Sequence, residues 1–419
     1  MSPVTAYRRL FALAGPLYVL TAFLGRLPLA MSQLGVLLLV SSSTGSYGSG
    51  GLAAGSLAVA NAASAPVSGA LADRRGQRPV VLVQSVLGAL GLLVLVGLAT
   101  ADAPTRALVA TAAATGLFLP QIGPLARVRW RPITAPAGAR QPQLVATAFS
   151  YEGAADEASF VLGPALLGAL VVVAAPGAGL VVAATLLLVF GCGFALHGSA
   201  RLTHAARNGA LAQGRLWTGA LVVLLVAQLL IGAVFGSVQT GTTVLATAAG
   251  RAGVAGLVHA LLGVGSVVAG LALAAVPERI AHPSRLLASA AALATLSLPL
   301  LLVGSLGGLV PVILVLGFAV APYMITNFTL GEHVAPPARV GAAMTLLAAA
   351  TGLGYAVGSA LAGRLADVHG HRGAFAVTVC ATGAALVLAA AARGVLGRTT
   401  PPGDGARLDR DTDQLAPTA

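Results

Sequence analysis

The chain predicts an all-α membrane protein of twelve transmembrane helices in two six-helix halves. Its apolar residues form about a dozen blocks, each long enough to cross the ~30 Å hydrocarbon core of a bilayer as a helix. Charged residues make up 9% and hydrophobic residues 57%, against about 25% charged in soluble domains. The 24 basic residues crowd into alternate gaps between the blocks.

The predicted helices cover 13–40, 50–71, 79–100, 106–126, 144–173, 178–197, 216–247, 254–275, 285–304, 308–330, 341–363 and 373–394. These blocks exceed the ~10 residues of a barrel strand and lack its period-two alternation. Gly and Pro recur within them, as membrane helices tolerate. Arg8-Arg9 before an apolar run looks like a signal peptide, but with eleven further blocks behind it a retained first helix is expected. The longest polar stretch between blocks, 198–215, divides the chain into an N-terminal half, 1–198, a cytoplasmic linker, 199–215, and a C-terminal half, 216–394. Residues 395–419 are rich in Pro, Gly, Asp and Thr and are expected to be a disordered cytoplasmic tail. The halves look related, since Gly163, Ala165, Leu166, Gly168 and Leu170 of the fifth block align with a run in the eleventh that keeps a similar small-residue pattern around Gly358 and Gly363.

A net charge of +12 suggests a nucleic-acid binder, but the placement of the charges argues for topology instead. All the basic residues are Arg, which reads as the base composition of a G+C-rich bacterium. With the N-terminus cytoplasmic, nineteen arginines fall inside, four outside, and Arg26 alone lies within a block. The positive-inside rule therefore puts both termini in the cytoplasm of a cell with a multi-pass inner (plasma) membrane protein. Cys192 and Cys380 have no CxxC spacing and no neighbouring ligands, so no disulfide and no metal site is expected. There is no HExxH and no nucleotide-binding GxxxxGK[ST], and so neither an enzyme nor a cofactor is expected.

The gap between the second and third blocks reads Gly69-Ala-Leu-Ala-Asp73-Arg74-Arg75-Gly76-Gln77-Arg78. It resembles the signature loop of the major facilitator superfamily, G-x-L-a-D-R-x-G-R-R, with Gln77 in place of a basic residue. The resemblance extends over roughly residues 8–395. It implies two six-helix halves that alternate access to a central site, with Asp73 latching the second helix to the eleventh on the cytoplasmic side. Physically, Gly69 allows close helix approach, Gly76 a turn with positive φ, and Asp73 a favourable seat at a helix N-terminus. Arg74 and Arg78 either join this latch or only set topology. In the fifth block, Gly163-Pro164-x-x-x-Gly168 resembles part of the G-P-x-x-G-G element of drug–proton antiporters, and its small residues would let that helix pack against the other half.

Four ionisable residues lie within N-terminal blocks: Arg26, Glu152, Asp156 and Glu157. Each costs roughly 2.5–3.5 kcal/mol in a bilayer centre, so such residues mark function. Arg26 and Glu157 each lie thirteen residues into their blocks, near mid-membrane. Arg26 is expected to pair with Asp156 or Glu157, either for proton coupling or as a structural ion pair. Glu152 is expected to pair near the interface with Arg127 or Arg129. In the C-terminal half, Gln228, Gln239, Tyr323 and Asn327 are candidates to line a substrate cavity.

These features imply a monomeric secondary transporter that exchanges protons for a small, largely apolar compound. Uptake or facilitated diffusion of a sugar or another metabolite is the alternative. A sugar site would be expected to present several Asn, Gln and Trp side chains, and the chain's two Trp lie at the ends of blocks.

Overall fold

A computed structural model describes residues 2–45, 47–173, 177–208, 215–251, 254–276 and 280–399, and among them there is no strand. The helices are α1 (Pro3–Ala14), α2 (Pro16–Leu24), α3 (Leu27–Thr44), α4 (Tyr47–Arg75), α5 (Gln77–Thr100), α6 (Thr105–Leu117), α7 (Ile122–Thr134) and α8 (Gln141–Val173). They continue as α9 (Ala178–Leu186), α10 (Cys192–Leu196), α11 (Ser199–Asn208), α12 (Gly219–Ala248), α13 (Ala255–Ala272), α14 (His282–Ser297), α15 (Leu306–Val334) and α16 (Val340–Thr399).

The burial pattern inverts that of a soluble bundle. Along α5, Val83, Val86, Leu87, Leu90, Leu93 and Val94 form an exposed apolar stripe at helical spacing. The opposite face buries the smaller or polar Gln84, Ser85, Gly88 and Ala89 with Leu92 and Leu95. A helix whose largest apolar side chains point outward is dissolved in lipid. Ten helical stretches among the described residues are long and apolar enough to cross a membrane. One of them, Thr105–Leu167, runs through α6 and α7 into α8. The Gly-, Ala- and Ser-rich α4 is not among the ten, so the twelve blocks read from the sequence do not map one to one onto apolar spans.

Helix boundaries depart from the sequence reading where Gly and Pro intervene. The first block is three helices, broken at Gly15, whose φ is 79°, and again at Gly25-Arg26 before Pro28. The fourth block breaks at Phe118–Gln121 and resumes as α7, so Arg127, Arg129 and Arg131 are helical rather than in a connecting loop. Residues 340–399 form one helical run that Gly370 breaks, with φ of 62°. That run includes 395–399, assigned above to the tail, whereas 400–419 lie outside the described residues. Most of the linker is helical too, as α11, and 209–214 lie outside the described residues.

One apolar core joins α12 to α16 and admits Val145 and Phe149 of α8. Two others are drawn from α1 to α10.

Candidate functional site

Arg26 sits at the break between α2 and α3, where Pro28 follows at the start of the new helix. The break projects its guanidinium onto α8. Arg26 Nη2 bonds to Glu152 Oε2, and Nη1 lies 3.5 Å from Asp156 Oδ1. The second oxygen of Asp156 is held at 2.7 Å by Arg127 Nη2 of α7. Gly123, one turn before Arg127, leaves room for this contact, since a Cβ there would stand 2.6 Å from Asp156 Oδ1. Glu152 Oε1 accepts the Trp130 indole N–H at 2.6 Å. Two cations and two carboxylates thus form a neutral quartet, which is how buried charge is tolerated. Asp156 is its most accessible member, with 19% of the side chain exposed against 0% for Glu152.

The α6–α7 break sets α7 in place. Asn61 of α4 donates to the Gly116 and Leu119 carbonyls at 3.1 and 2.8 Å and accepts from Gln121 at 2.7 Å. These bonds satisfy backbone groups that a broken helix leaves open. On α7, Arg127 and Arg131 stand one turn apart on one face. Arg127 lies over the Phe328 ring of α15, 4.2 Å from its centroid, and Arg131 binds Glu332 of α15 at 2.5 Å. Phe328 and Glu332 are also one turn apart, so the two contacts form a ladder between α7 and α15. Arg129 points the other way, to Gln77, the Phe194 carbonyl and Ser199.

Several expected partners are placed differently. Glu152, assigned above to Arg127 or Arg129, meets Arg26 and Trp130, because the α2–α3 break brings Arg26 beside it. Glu157 does not pair with Arg26. One residue on from Asp156, it is rotated by about 100°, and its carboxylate stands beside Ser266 of α13. Trp130, read from the sequence as a helix-end residue, is fully buried mid-helix between Tyr18 and Tyr151. Gln228, Tyr323 and Asn327 are fully buried between α12 and α15 rather than lining an open cavity. Asn327 donates to Gln228 at 2.6 Å and to the Leu224 carbonyl at 3.0 Å, and Tyr323 donates to the Ala227 carbonyl at 3.2 Å. Gln239 is exposed and accepts from the Tyr355 hydroxyl.

The loop residues meet α16. Asp73 accepts the Gly341 and Ala342 backbone N–H groups at 3.1 and 2.8 Å, at the start of that helix. A Cβ on Gly69 would come 2.7 Å from the Gly341 carbonyl oxygen. Gly76, with φ of 88°, turns the chain from α4 into α5, and Arg78 is exposed. Gly163, expected to let its helix pack against the C-terminal helices, packs against Ala30 of α3 instead. That approach is made at Gly153, against Ile325 of α15, and at Gly263 of α13, against Val161. Pro164 lies inside α8, and the surroundings of Gly168 lie outside the described residues.

Solved structures share this fold. The human organic anion transporter MFSD10 (TETRAN) aligns with a TM-score of 0.69 at 22% identity, over 90% of this chain and 100% of that one. A bacterial homologue of the iron transporter ferroportin, in an outward-facing state with soaked iron, aligns with a TM-score of 0.70 at 16% identity, over 89% and 97%. The proton:xylose symporter XylE aligns with a TM-score of 0.66 at 14% identity, over 88% and 94%. No curated protein matches in sequence. The sequence model of the Major Facilitator Superfamily matches residues 18–346, and the chain therefore belongs to this superfamily of multi-pass membrane transporters.

Proposed function

We propose that the chain is a proton-coupled exporter of a small, largely apolar compound, working by alternating access as a monomer. The observation that carries this reading is the double engagement of Arg127, which binds Asp156 within the N-terminal half and stacks on Phe328 of the C-terminal half. A proton on Asp156 removes the charge that holds Arg127 and so loosens a contact between halves. Coupling requires this kind of differential interaction between two states. The partial exposure of Asp156 gives protons a route that Glu152 lacks.

The rest of the architecture supports the reading. Two apolar cores lie within α1–α10 and the third within α12–α16 but for Val145 and Phe149 of α8, which favours twelve helices packed as two units, with α4 and both parts of Thr105–Leu167 counted as crossings. Asp73 on α16 and Arg131 on Glu332 join the halves at one end, the end where the arginine-rich segments lie. The positive-inside rule makes that end cytoplasmic, in a bacterial plasma membrane. Arg26 Nε and Arg127 Nε and Nη1 make no hydrogen bond within the protein and suit an acceptor atom on an otherwise apolar compound. The polar set Gln228, Tyr323 and Asn327 is bonded internally, which leaves few groups for a sugar.

The test is substrate-dependent proton movement in proteoliposomes of the purified protein under an imposed proton gradient, with a panel of apolar compounds and of sugars. Proton movement driven by apolar compounds supports the proposal. A response to sugars alone, or solute flux without proton movement, overturns it in favour of uptake or facilitated diffusion.

A further inference from the structure

Helix α1 lies ahead of the first apolar span, which begins at Pro16, and is built as a unit of its own. Ser2 caps its first turn by accepting the Thr5 N–H, and Pro3 starts it. At the other end the Gly15 N–H closes on the Phe11 carbonyl at 2.9 Å. Gly15 alone joins α1 to α2. Its φ of 79° and ψ of 153° fall in a region open essentially to glycine only. Nothing beyond its chain neighbours stands within 4 Å of where a Cβ would be. The bend is therefore set by the backbone, and no packing holds it.

From this bend α1 reaches across to the C-terminal helices. Leu10 and Ala14 are buried in the core that holds Tyr18 and Trp130, and Phe11 meets the Tyr151 ring of α8 edge-on at 5.2 Å. One turn earlier, Tyr7 stacks on Phe11 and donates its hydroxyl to the Leu271 carbonyl of α13 at 3.0 Å. Leu271 is among the last four residues of α13, whose carbonyls lack a regular helical donor. Burial pushes the Tyr7 hydroxyl up to about 12, so it remains a donor at any cellular pH. Pro3, at the tip of α1, lines the cleft of about 450 Å³ together with residues 273–276, just past α13, and with Ser150 of α8. One hydroxyl-to-carbonyl bond thus ties α1 to α13 at the rim of that cleft. The Asp73 and Arg131 contacts described above reach α16 and α15, and neither touches α13.

We propose that α1 is a strap, hinged at Gly15 and clasped by Tyr7 to the end of α13, which closes the mouth of this cleft and lets go of α13 when the cleft opens. Anchor and clasp differ in strength as a strap requires. The anchor buries Leu10, Ala14 and an aromatic pair, whereas the clasp is a single neutral hydrogen bond, the kind that breaks at small cost. A few residues at the end of an element that absorb the backbone change are what a hinge needs, and Gly15 meets that need with open space around it. The anchor also abuts the ion-pair quartet, since Tyr151 meets the ring of Trp130, the donor to Glu152. Closure by α1 is independent of whether Asp156 carries a proton.

The test uses the full-length protein in detergent, with Cys192 and Cys380 replaced by Ser and a Ser150→Cys reporter in the cleft, at a position only 2% exposed. The readouts are the rate of labelling by a polar maleimide and hydrogen–deuterium exchange of residues 3–14. Tyr7→Phe removes the hydroxyl and keeps the ring, and Gly15→Ala strains the hinge without a clash. Gly45→Ala is the control, a positive-φ glycine with equally open surroundings at the far end of α3. Loss of one neutral hydrogen bond is expected to speed labelling about fivefold in Tyr7→Phe, with faster exchange over 3–14. Gly15→Ala should speed both with Tyr7 intact, and Gly45→Ala should match the parent protein. Labelling and exchange in Tyr7→Phe equal to the parent would overturn the proposal. So would the same acceleration in Gly45→Ala, which would mean a general loosening of the fold.

Discussion

Arg127 binds Asp156 at 2.7 Å while its guanidinium lies 4.2 Å from the centre of the Phe328 ring, so one side chain joins a carboxylate of α8 to an aromatic of α15. Under the proposed mechanism this contact links proton occupancy to the packing of helices from opposite ends of the chain. Phe328→Leu keeps the volume roughly constant and removes the π face. A desolvated cation–π contact is worth about 2 kcal/mol, so this variant is expected to stay folded but to lose tight coupling. The check is the ratio of protons to solute moved in proteoliposomes, which falls if the contact transmits the signal and is unchanged if it does not.

The two carboxylates of the quartet are expected to fail differently. Glu152 is fully buried between Arg26 and Trp130, and Glu152→Gln leaves a buried cation half compensated. Removing one partner of such a pair costs about 3–5 kcal/mol. Asp156 is partly exposed, so water compensates part of its loss in Asp156→Asn. The thermal midpoint in detergent should drop much further for Glu152→Gln than for Asp156→Asn. The reverse order would mean that Glu152 is the accessible carboxylate.

Asp73 and Glu332 join helices by separate contacts, one to the α16 N-terminus and one to Arg131, and under the proposed mechanism both hold the same end of the molecule closed. Breaking either should open the cleft of about 450 Å³ that Ser150, Ile325 and Thr329 help to line. With Cys192 and Cys380 replaced by Ser, a Ser150→Cys reporter should be labelled faster by a polar maleimide in Asp73→Asn and in Glu332→Gln, and fastest in the combination. Equal labelling of all four proteins would remove the latch role.

Gly69 is the tightest requirement of that latch. Adding a methyl places a Cβ 2.7 Å from the Gly341 carbonyl oxygen, and backbone cannot move aside as a side chain can. Overpacking of this kind costs about 1–3 kcal/mol. Gly69→Ala is expected to show rapid Ser150→Cys labelling with Asp73 intact. Slow labelling would show that α4 and α16 have slack.

The sequence made the membrane class legible because lipid imposes long apolar helices, and it made the Asp73 loop legible because its residues are contiguous. Arg26 and Asp156 were found because a charge stands out in an apolar block. Arg127 was matched to Glu152 rather than Asp156 and Trp130 was placed at a helix end, because the break at Phe118–Gln121 shifts the helix along. Pro120 and Pro124 were the available signal for that shift. Gln228 and Asn327 carry polar atoms that suggest a cavity, yet side-chain pairing between α12 and α15 is a long-range fact that composition does not encode. Phe328 offered no sequence signal, being one aromatic among apolar neighbours.

The central claim is that Asp156 carries the transported proton, and the most direct measurement is internal pH in proteoliposomes when a transported apolar compound is added. Wild type, Asp156→Asn and Glu157→Gln would be compared at equal protein density. The account predicts compound-driven proton movement in wild type and Glu157→Gln, and its loss in Asp156→Asn with compound binding retained. Proton movement that survives in Asp156→Asn would contradict it and reduce the quartet to a structural ion-pair network.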